Sequence, residues 1–199
     1  MFGAVQNLIF FKAGWLACIL FAAAGKPALA TLAVAAVVTF HLFRAPVPVK
    51  EALLLAIAGL IGLAWESFMV STGLITYPAT AVADSWAPYW IVAMWVLFAT
   101  TVNYGFRWLK RHWALAVIFG AVGGPMAFFG GAAMGAAQFS NTPLALAVIG
   151  LGWAVLLPLL CLISDSIIDS EFLEPPSEPS TGRVKSSLFA NAGGTNPHV

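Results

Sequence analysis

The sequence predicts an all-α membrane protein, a polytopic bundle of six transmembrane helices with both termini in the cytoplasm. Composition is the first reason: of 199 residues, 61% are hydrophobic and 9% are charged, and the mean hydropathy is +0.92. Soluble domains carry about 25% charged residues. The second reason is that six apolar runs approach the roughly 20 residues that a helix needs to cross the hydrocarbon core. Alternating strand-like runs, which would indicate a β-barrel, are absent from the sequence.

The chain divides into an expected membrane domain, residues 1–163, and a C-terminal tail, residues 164–199. The tail is polar, acidic and rich in Pro, Ser and Gly, which predicts a mostly disordered cytoplasmic segment. The expected transmembrane helices cover residues 5–24, 27–43, 51–70, 87–106, 113–137 and 143–163.

The basic residues indicate the orientation of the chain. Seven of the nine fall on one side of the predicted membrane, against Lys26 on the other and Lys12 within the first helix. Cytoplasmic loops carry the excess of Lys and Arg, so this side is expected to be the cytoplasm. The seven are Arg44, Lys50, Arg107, Lys110, Arg111, Arg183 and Lys185. A formal net charge of +1 is too small to suggest a nucleic-acid partner.

Glu66 is the strongest candidate for a functional residue, because it is a carboxylate within an apolar helix. By the rise per residue it lies about 22 Å from Glu51, close to the outer interface. Gly59 and Gly62 precede it on one face, which predicts that this face packs closely against another helix. A functional role and a structural, hydrogen-bonded role are both open for such a group.

Lys12 is the second charge within a predicted span. Its side chain can extend back to the cytoplasmic surface. The alternative is an ion pair with Glu66 across the bundle, although the expected depths of the two residues differ by about 10 Å.

Asn103 and the basic cluster after it lie at the cytoplasmic end of the fourth predicted helix. A buried amide commonly links helices by hydrogen bonds. Arg107, Lys110 and Arg111 are candidates for contact with anionic lipid headgroups, but any cytoplasmic loop that obeys the orientation rule would also be basic.

The fifth predicted helix contains the run GAVGGPMAFFGGAAMGAA. Small residues recur every four positions in it and leave one face nearly bare, which favours close packing with a neighbouring helix or with another membrane protein. Pro125, beside Gly124, removes a backbone hydrogen bond and predicts a kink. The alternative is a broken helix that lines a path for a ligand. The bare face comprises Gly123, Ala127, Gly131 and Gly135.

Trp86, Tyr89 and Trp90 cluster before the fourth predicted helix. Their position is typical of an outer aromatic belt, with a lid over a pocket as the alternative. Phosphate loops, metal-binding clusters and catalytic triads do not occur in the sequence, so neither a cofactor nor a metal is expected, and an enzyme is less favoured than a non-enzymatic role. Cys18 and Cys161 lie at opposite expected depths, which predicts two free thiols.

The chain resembles an uncharacterised family of bacterial inner-membrane proteins, domain-of-unknown-function family 2878. The resemblance covers about residues 5–163 and is carried by NLIFFKAGWLACIL, PYWIVAMWVLFATTVNYGFRWL, the glycine-rich run above, GWAVLLPLL, and an acidic residue after glycines in the third helix. It implies a multi-pass inner-membrane location. It also suggests an accessory role in membrane-lipid modification or envelope stress.

Three hypotheses follow for function. The first is a lipid-linked accessory protein with membrane lipids as partners. The second is a transporter or binding protein for a small solute or ion, with an outward-facing cavity near Glu66. The third is an assembly subunit that packs through the bare face of the fifth helix.

Overall fold

The computed structural model describes residues 3–78 and 86–168, and the described residues form six α-helices. Five of these helices are long and apolar enough to cross a membrane. The all-α prediction is therefore confirmed. The helices are α1 (Ala4–Ala23), α2 (Pro27–Arg44), α3 (Pro48–Ser71), α4 (Tyr89–Ala99), α5 (Trp113–Ala133) and α6 (Thr142–Ile167).

Two short strands complete the regular structure. Strand β1 (Ile75–Thr76) follows α3, and β2 (Gln138–Phe139) follows α5. They pair antiparallel, with Ile75 opposite Phe139 and Thr76 opposite Gln138. Because these loops belong to the two halves of the chain, the pairing ties the halves together at one end of the bundle.

Helix α4 occupies the centre of the bundle, where it packs against α1, α2 and α3. Helices α5 and α6 form the most extensive pair, and α6 also contacts α3. The first turn of α1 and the last turn of α6 lie at the same end, because Asn7 donates to the carbonyl of Thr100 and Ser164 contacts Asn103 nearby. This end is called the Glu51 end below, and the opposite end is called the Glu66 end.

Helix α4 is shorter than the expected helix over residues 87–106. It ends at Ala99, and turns cover residues 100–106 before a 3₁₀ helix at Arg107–Arg111. The hydroxyl groups of Thr100 and Thr101 donate to the carbonyls of Leu97 and Phe98, at 2.7 and 2.6 Å. Such local bonds compete with helical ones. This irregular backbone is tolerated because the surrounding helices, rather than lipid, enclose it.

The other helices deviate less from expectation. Helix α5 ends at Ala133 rather than at 137, and Gly135 beyond it adopts φ +90, which only glycine tolerates well. Helix α6 continues to Ile167, so residues 164–167 belong to the helix and not to the tail. The remaining tail prediction, from residue 169 onward, lies outside the described residues. Cys18 and Cys161 are both free and buried, as expected.

Glycines set the separation of α5 and α6. A Cβ atom at Gly120 would overlap the backbone carbonyl of Trp153, and one at Gly124 would lie 2.5 Å from the Cγ atom of the same residue. In contrast, a Cβ atom at Gly123 would meet nothing within 4 Å. Gly120 and Gly123, three residues apart, therefore have opposite surroundings: Gly120 faces the backbone of α6, whereas Gly123 faces open space.

We expect Gly120→Ala to destabilise the protein, because the clash involves backbone that cannot rotate away. Overpacking of this kind costs about 1–3 kcal/mol. The matched control is Gly123→Ala, which should leave stability unchanged or raise it by up to about 1 kcal/mol through helix propensity. Thermal unfolding in detergent measures both, and equal effects of the two variants would contradict the packing described.

Candidate functional site

Glu66 is fully buried near the end of α3 and accepts two hydrogen bonds from side chains. The indole Nε1 of Trp95 donates to its Oε1 at 2.8 Å, and the hydroxyl of Tyr77 donates to its Oε2 at 2.6 Å. Both carboxylate oxygens are thus occupied by protein donors. The structure thus places Glu66 in the interior, where the sequence predicts it.

Local features of the chain position the two donors. Gly62 lies one turn before Glu66, and a Cβ atom there would overlap the Trp95 side chain, so the glycine makes room for the indole. Tyr77 directly follows β1, whose pairing with β2 fixes its backbone. Burial and the neighbouring Glu66 carboxylate raise the pKa of Tyr77 well above its usual value. The phenol therefore stays protonated and acts as the donor.

Trp95 and Tyr77 also line a cavity of about 430 Å³ between α1 and α5. Trp95 stacks on Trp153 with ring centroids 4.6 Å apart, and Tyr77 meets Trp90 edge to face at 5.3 Å. The volume is within the usual range for ligand pockets, roughly 300–1,000 Å³. Apart from Lys12 and the Tyr77 hydroxyl, the side chains around it are apolar or aromatic.

The wall on α5 includes the small residues that the sequence singles out, together with Phe119 and Phe128. Gly123, Gly124, Ala127 and Gly131 all border the cavity. Nearer the Glu66 end, the glycine face approaches α1: a Cβ atom at Gly131 would lie 3.2 Å from Ile19. The bare face is thus turned towards the cavity and α1 within the chain. Pro125 does not break α5, which is continuous through it.

Lys12 stands at the edge of the same cavity. Its side chain is exposed, and its Nζ lies 5.0 Å from the ring centroid of Trp15 and 6.0 Å from that of Phe11. The ion pair with Glu66 that the sequence left open does not form: in the described part of the chain Glu66 binds Tyr77 and Trp95, whereas the Lys12 ammonium group lies against aromatic rings.

A second polar cluster occupies the Glu51 end. Glu51, in the first turn of α3, is fully buried; His41 Nε2 lies 3.4 Å from its Oε2, and Asn103 Nδ2 donates to its Oε1 at 3.1 Å. The Nζ of Lys110 donates to Asn103 Oδ1 at 2.9 Å and to Ser164 Oγ at 3.0 Å. The expected linking role of Asn103 is evident, since its amide contacts three elements.

Lys110 differs from the other two basic residues of its cluster. Its side chain is nearly buried and also pairs with Asp165 at 2.7 Å, so it faces the protein interior rather than a headgroup. Arg107 is half-buried and Arg111 is exposed.

Sequence reasoning did not identify Glu51, His41 or Ser164 as members of a cluster. All three lie near predicted helix ends, where polar residues are ordinary, and ten residues separate His41 from Glu51. The one available signal was that His41 and Glu51 flank the same short connection between α2 and α3. Within residues 3–78 and 86–168, no group of three or more His, Cys, Asp or Glu side chains could hold a metal ion.

The aromatic residues before α4 separate into two environments. Trp86 is 60% exposed and Tyr89 is 48% exposed, as an interfacial belt would require. Trp90 is fully buried and borders the cavity instead.

The six-helix architecture and the buried polar clusters define a polytopic α-helical membrane protein. The family model described as "Protein of unknown function (DUF2878)" matches residues 4–159, and the chain therefore belongs to this family. No curated protein matches the chain, and no solved structure matches it either.

We expect Glu66→Leu to lower the free energy of unfolding by about 2–4 kcal/mol, because two buried donors would lose their acceptor. Glu66→Gln should cost much less, since its oxygen can accept from Trp95 and its amide can donate to the Tyr77 hydroxyl. Thermal unfolding in detergent tests the order of the two variants. Equal loss in both would mean that the negative charge, rather than hydrogen bonding, stabilises this site.

Lys110→Met should destabilise the Glu51 end by about 1–3 kcal/mol, since Asn103 and Ser164 lose a buried partner. Asp165→Asn is the control, because its half-exposed carboxylate contributes under about 1 kcal/mol. The thermal unfolding midpoints of Lys110→Met and Asp165→Asn show which variant loses more stability. A larger effect of Asp165→Asn would contradict an inward role for Lys110.

Proposed function

We propose that this protein binds the apolar chain of a membrane lipid in the cavity between α1 and α5. It would serve as an accessory factor in membrane-lipid modification or envelope stress. The observation that carries the proposal is the cavity itself: about 430 Å³, lined by aromatic rings and, on α5, by small residues between Phe119 and Phe128. Apolar walls favour a chain of methylene groups, which has no hydrogen bonds to satisfy.

The composition of the walls supports a lipid over a small polar solute or ion. A permeation path needs polar groups that replace the hydration of the solute. The side chains around this cavity supply few, and both oxygens of the Glu66 carboxylate already accept hydrogen bonds from Tyr77 and Trp95. The transport hypothesis therefore has less support from the geometry than the lipid hypothesis.

The proposed location is the bacterial inner membrane, with the Glu51 end in the cytoplasm. The distribution of basic residues supports this orientation, because Arg44, Lys50 and the 107–111 segment lie at the Glu51 end while Lys26 lies at the other. The headgroup roles proposed for Arg107 and Arg111 would then belong to the cytoplasmic leaflet.

Gly123→Leu should abolish lipid binding without unfolding the protein. A Cβ atom at this position meets nothing within 4 Å, so the larger side chain would occupy cavity volume rather than displace protein atoms. Binding is measured by quenching of tryptophan fluorescence with a lipid brominated on its acyl chain, since four tryptophans border the cavity: Trp15, Trp90, Trp95 and Trp153.

The matched control is Val122→Leu, which adds bulk to the adjacent, exposed position on the same helix. Saturable quenching in the wild type and in Val122→Leu, but not in Gly123→Leu, is the expected result. Quenching that is identical in all three proteins would refute the cavity as the binding site. Lipid extracts from cells with the gene deleted, restored, or restored as Gly123→Leu then test the accessory role by mass spectrometry.

A further inference from the structure

Lys12 is a cation at an unusual depth. It lies eight residues after the start of α1, about 12 Å along the helix axis, within a helix that is apolar enough to span a membrane. A charged group at such a depth costs several kcal/mol unless water or an opposite charge compensates it. The Lys12 ammonium group therefore needs water or an opposite charge beside it.

The described part of the chain offers Lys12 aromatic rings but no acidic partner. The ammonium group lies over Trp15 and near Phe11. Two ion pairs of the described residues involve other groups, since they join His41 to Glu51 and Lys110 to Asp165. Ring contacts stabilise a cation only modestly, by about 0.5–2 kcal/mol in general.

The position of Lys12 relative to the cavity suggests what completes its environment. Lys12, Phe11 and Trp15 all border the cavity from α1, and the open space beside Gly123 borders it from α5. The one cation of the cavity wall thus stands at the edge of an otherwise apolar chamber. This arrangement matches a molecule with an apolar chain and one anionic group.

We propose that Lys12 pairs with the anionic group of the ligand, and that the ligand is a single-chain anionic amphiphile. Its chain fills the cavity, and its carboxylate or phosphate binds the Lys12 ammonium group. This inference rests on the proposed lipid-binding function and adds the chemical class of the ligand. Phe11 and Trp15 orient the lysine by holding its ammonium group against their rings.

The test uses three brominated probes of equal chain length: a fatty carboxylate, an alkyl phosphate and the neutral alcohol. Each is titrated against the purified full-length wild type, Lys12→Met and Lys12→Arg, with quenching of tryptophan fluorescence as the measurement. Lys12→Met removes the charge, and with it the cation–π contacts, but retains an unbranched apolar side chain beside the rings. Lys12→Arg retains the charge.

We expect Lys12→Met to weaken the binding of an anionic probe roughly ten- to a hundred-fold, as the loss of a charge-assisted bond predicts. The alcohol should bind the wild type and Lys12→Met equally, and Lys12→Arg should retain most of the affinity for the anion. The anionic probe that loses more affinity in Lys12→Met, the carboxylate or the phosphate, identifies the anionic group that Lys12 binds.

Unchanged affinity of Lys12→Met for both anionic probes would overturn the inference. If the alcohol still binds in that case and Gly123→Leu blocks it, the proposed lipid-binding function stands and only the role of Lys12 fails. If no probe binds in a manner that Gly123→Leu abolishes, the proposed function and this inference fail together.

Discussion

The hydrogen bond from the Trp95 indole to the Glu66 carboxylate determines how the two halves of the chain meet. A buried N–H group in a membrane protein has no water to bind, so its acceptor fixes the orientation of the ring. The oriented ring of Trp95 then stacks on Trp153 of α6. Trp153 in turn fits against Gly120 and Gly124 of α5. The position of the α5–α6 pair, and therefore the width of the cavity, depends on this series of contacts.

Helix α3 carries a buried carboxylate at each end of its packed face. Glu66 organises aromatic donors, whereas Glu51 organises an amide, an imidazole and, through Asn103, the Lys110 ammonium group. These two polar clusters hold the helices together at the ends of the bundle, where backbone hydrogen bonding is least regular. Apolar contacts dominate between the two clusters, and the cavity extends from there to Tyr77 and Trp95 of the Glu66 cluster. A binding site for an apolar chain is compatible with the fold for this reason.

Much of the fold follows from the sequence because hydrocarbon imposes a simple length requirement. The approximate positions of five helices and the interior position of Glu66 could be predicted from apolar runs and from the spacing of Gly59 and Gly62. The end of α4 could not, because Thr100 and Thr101 terminate it by bonds that only the surrounding helices make favourable. The site was predicted in part: Glu66, Lys12 and the glycines of α5 were identified, and one hypothesis placed a cavity near Glu66, but the relation of Lys12 to that cavity was not predicted. That relation depends on distances between helices, which a single sequence does not record. The role of Glu51 was missed for the same reason.

Most partners of the two buried carboxylates come later in the chain than α3 itself. A protein is synthesised from its N terminus, so α3 enters the membrane before Trp95, Asn103 and Lys110 have left the ribosome. Only His41, among the described partners of Glu51, precedes it. The first three helices therefore reach the bilayer with two carboxyl groups that are not yet fully hydrogen-bonded. Such groups are costly in hydrocarbon, and assembly of this half is completed only when α4 and the segment after it arrive. Because of this order of synthesis, α4, the shortest of the six α-helices, supplies contacts that complete the bundle after α1, α2 and α3 have inserted.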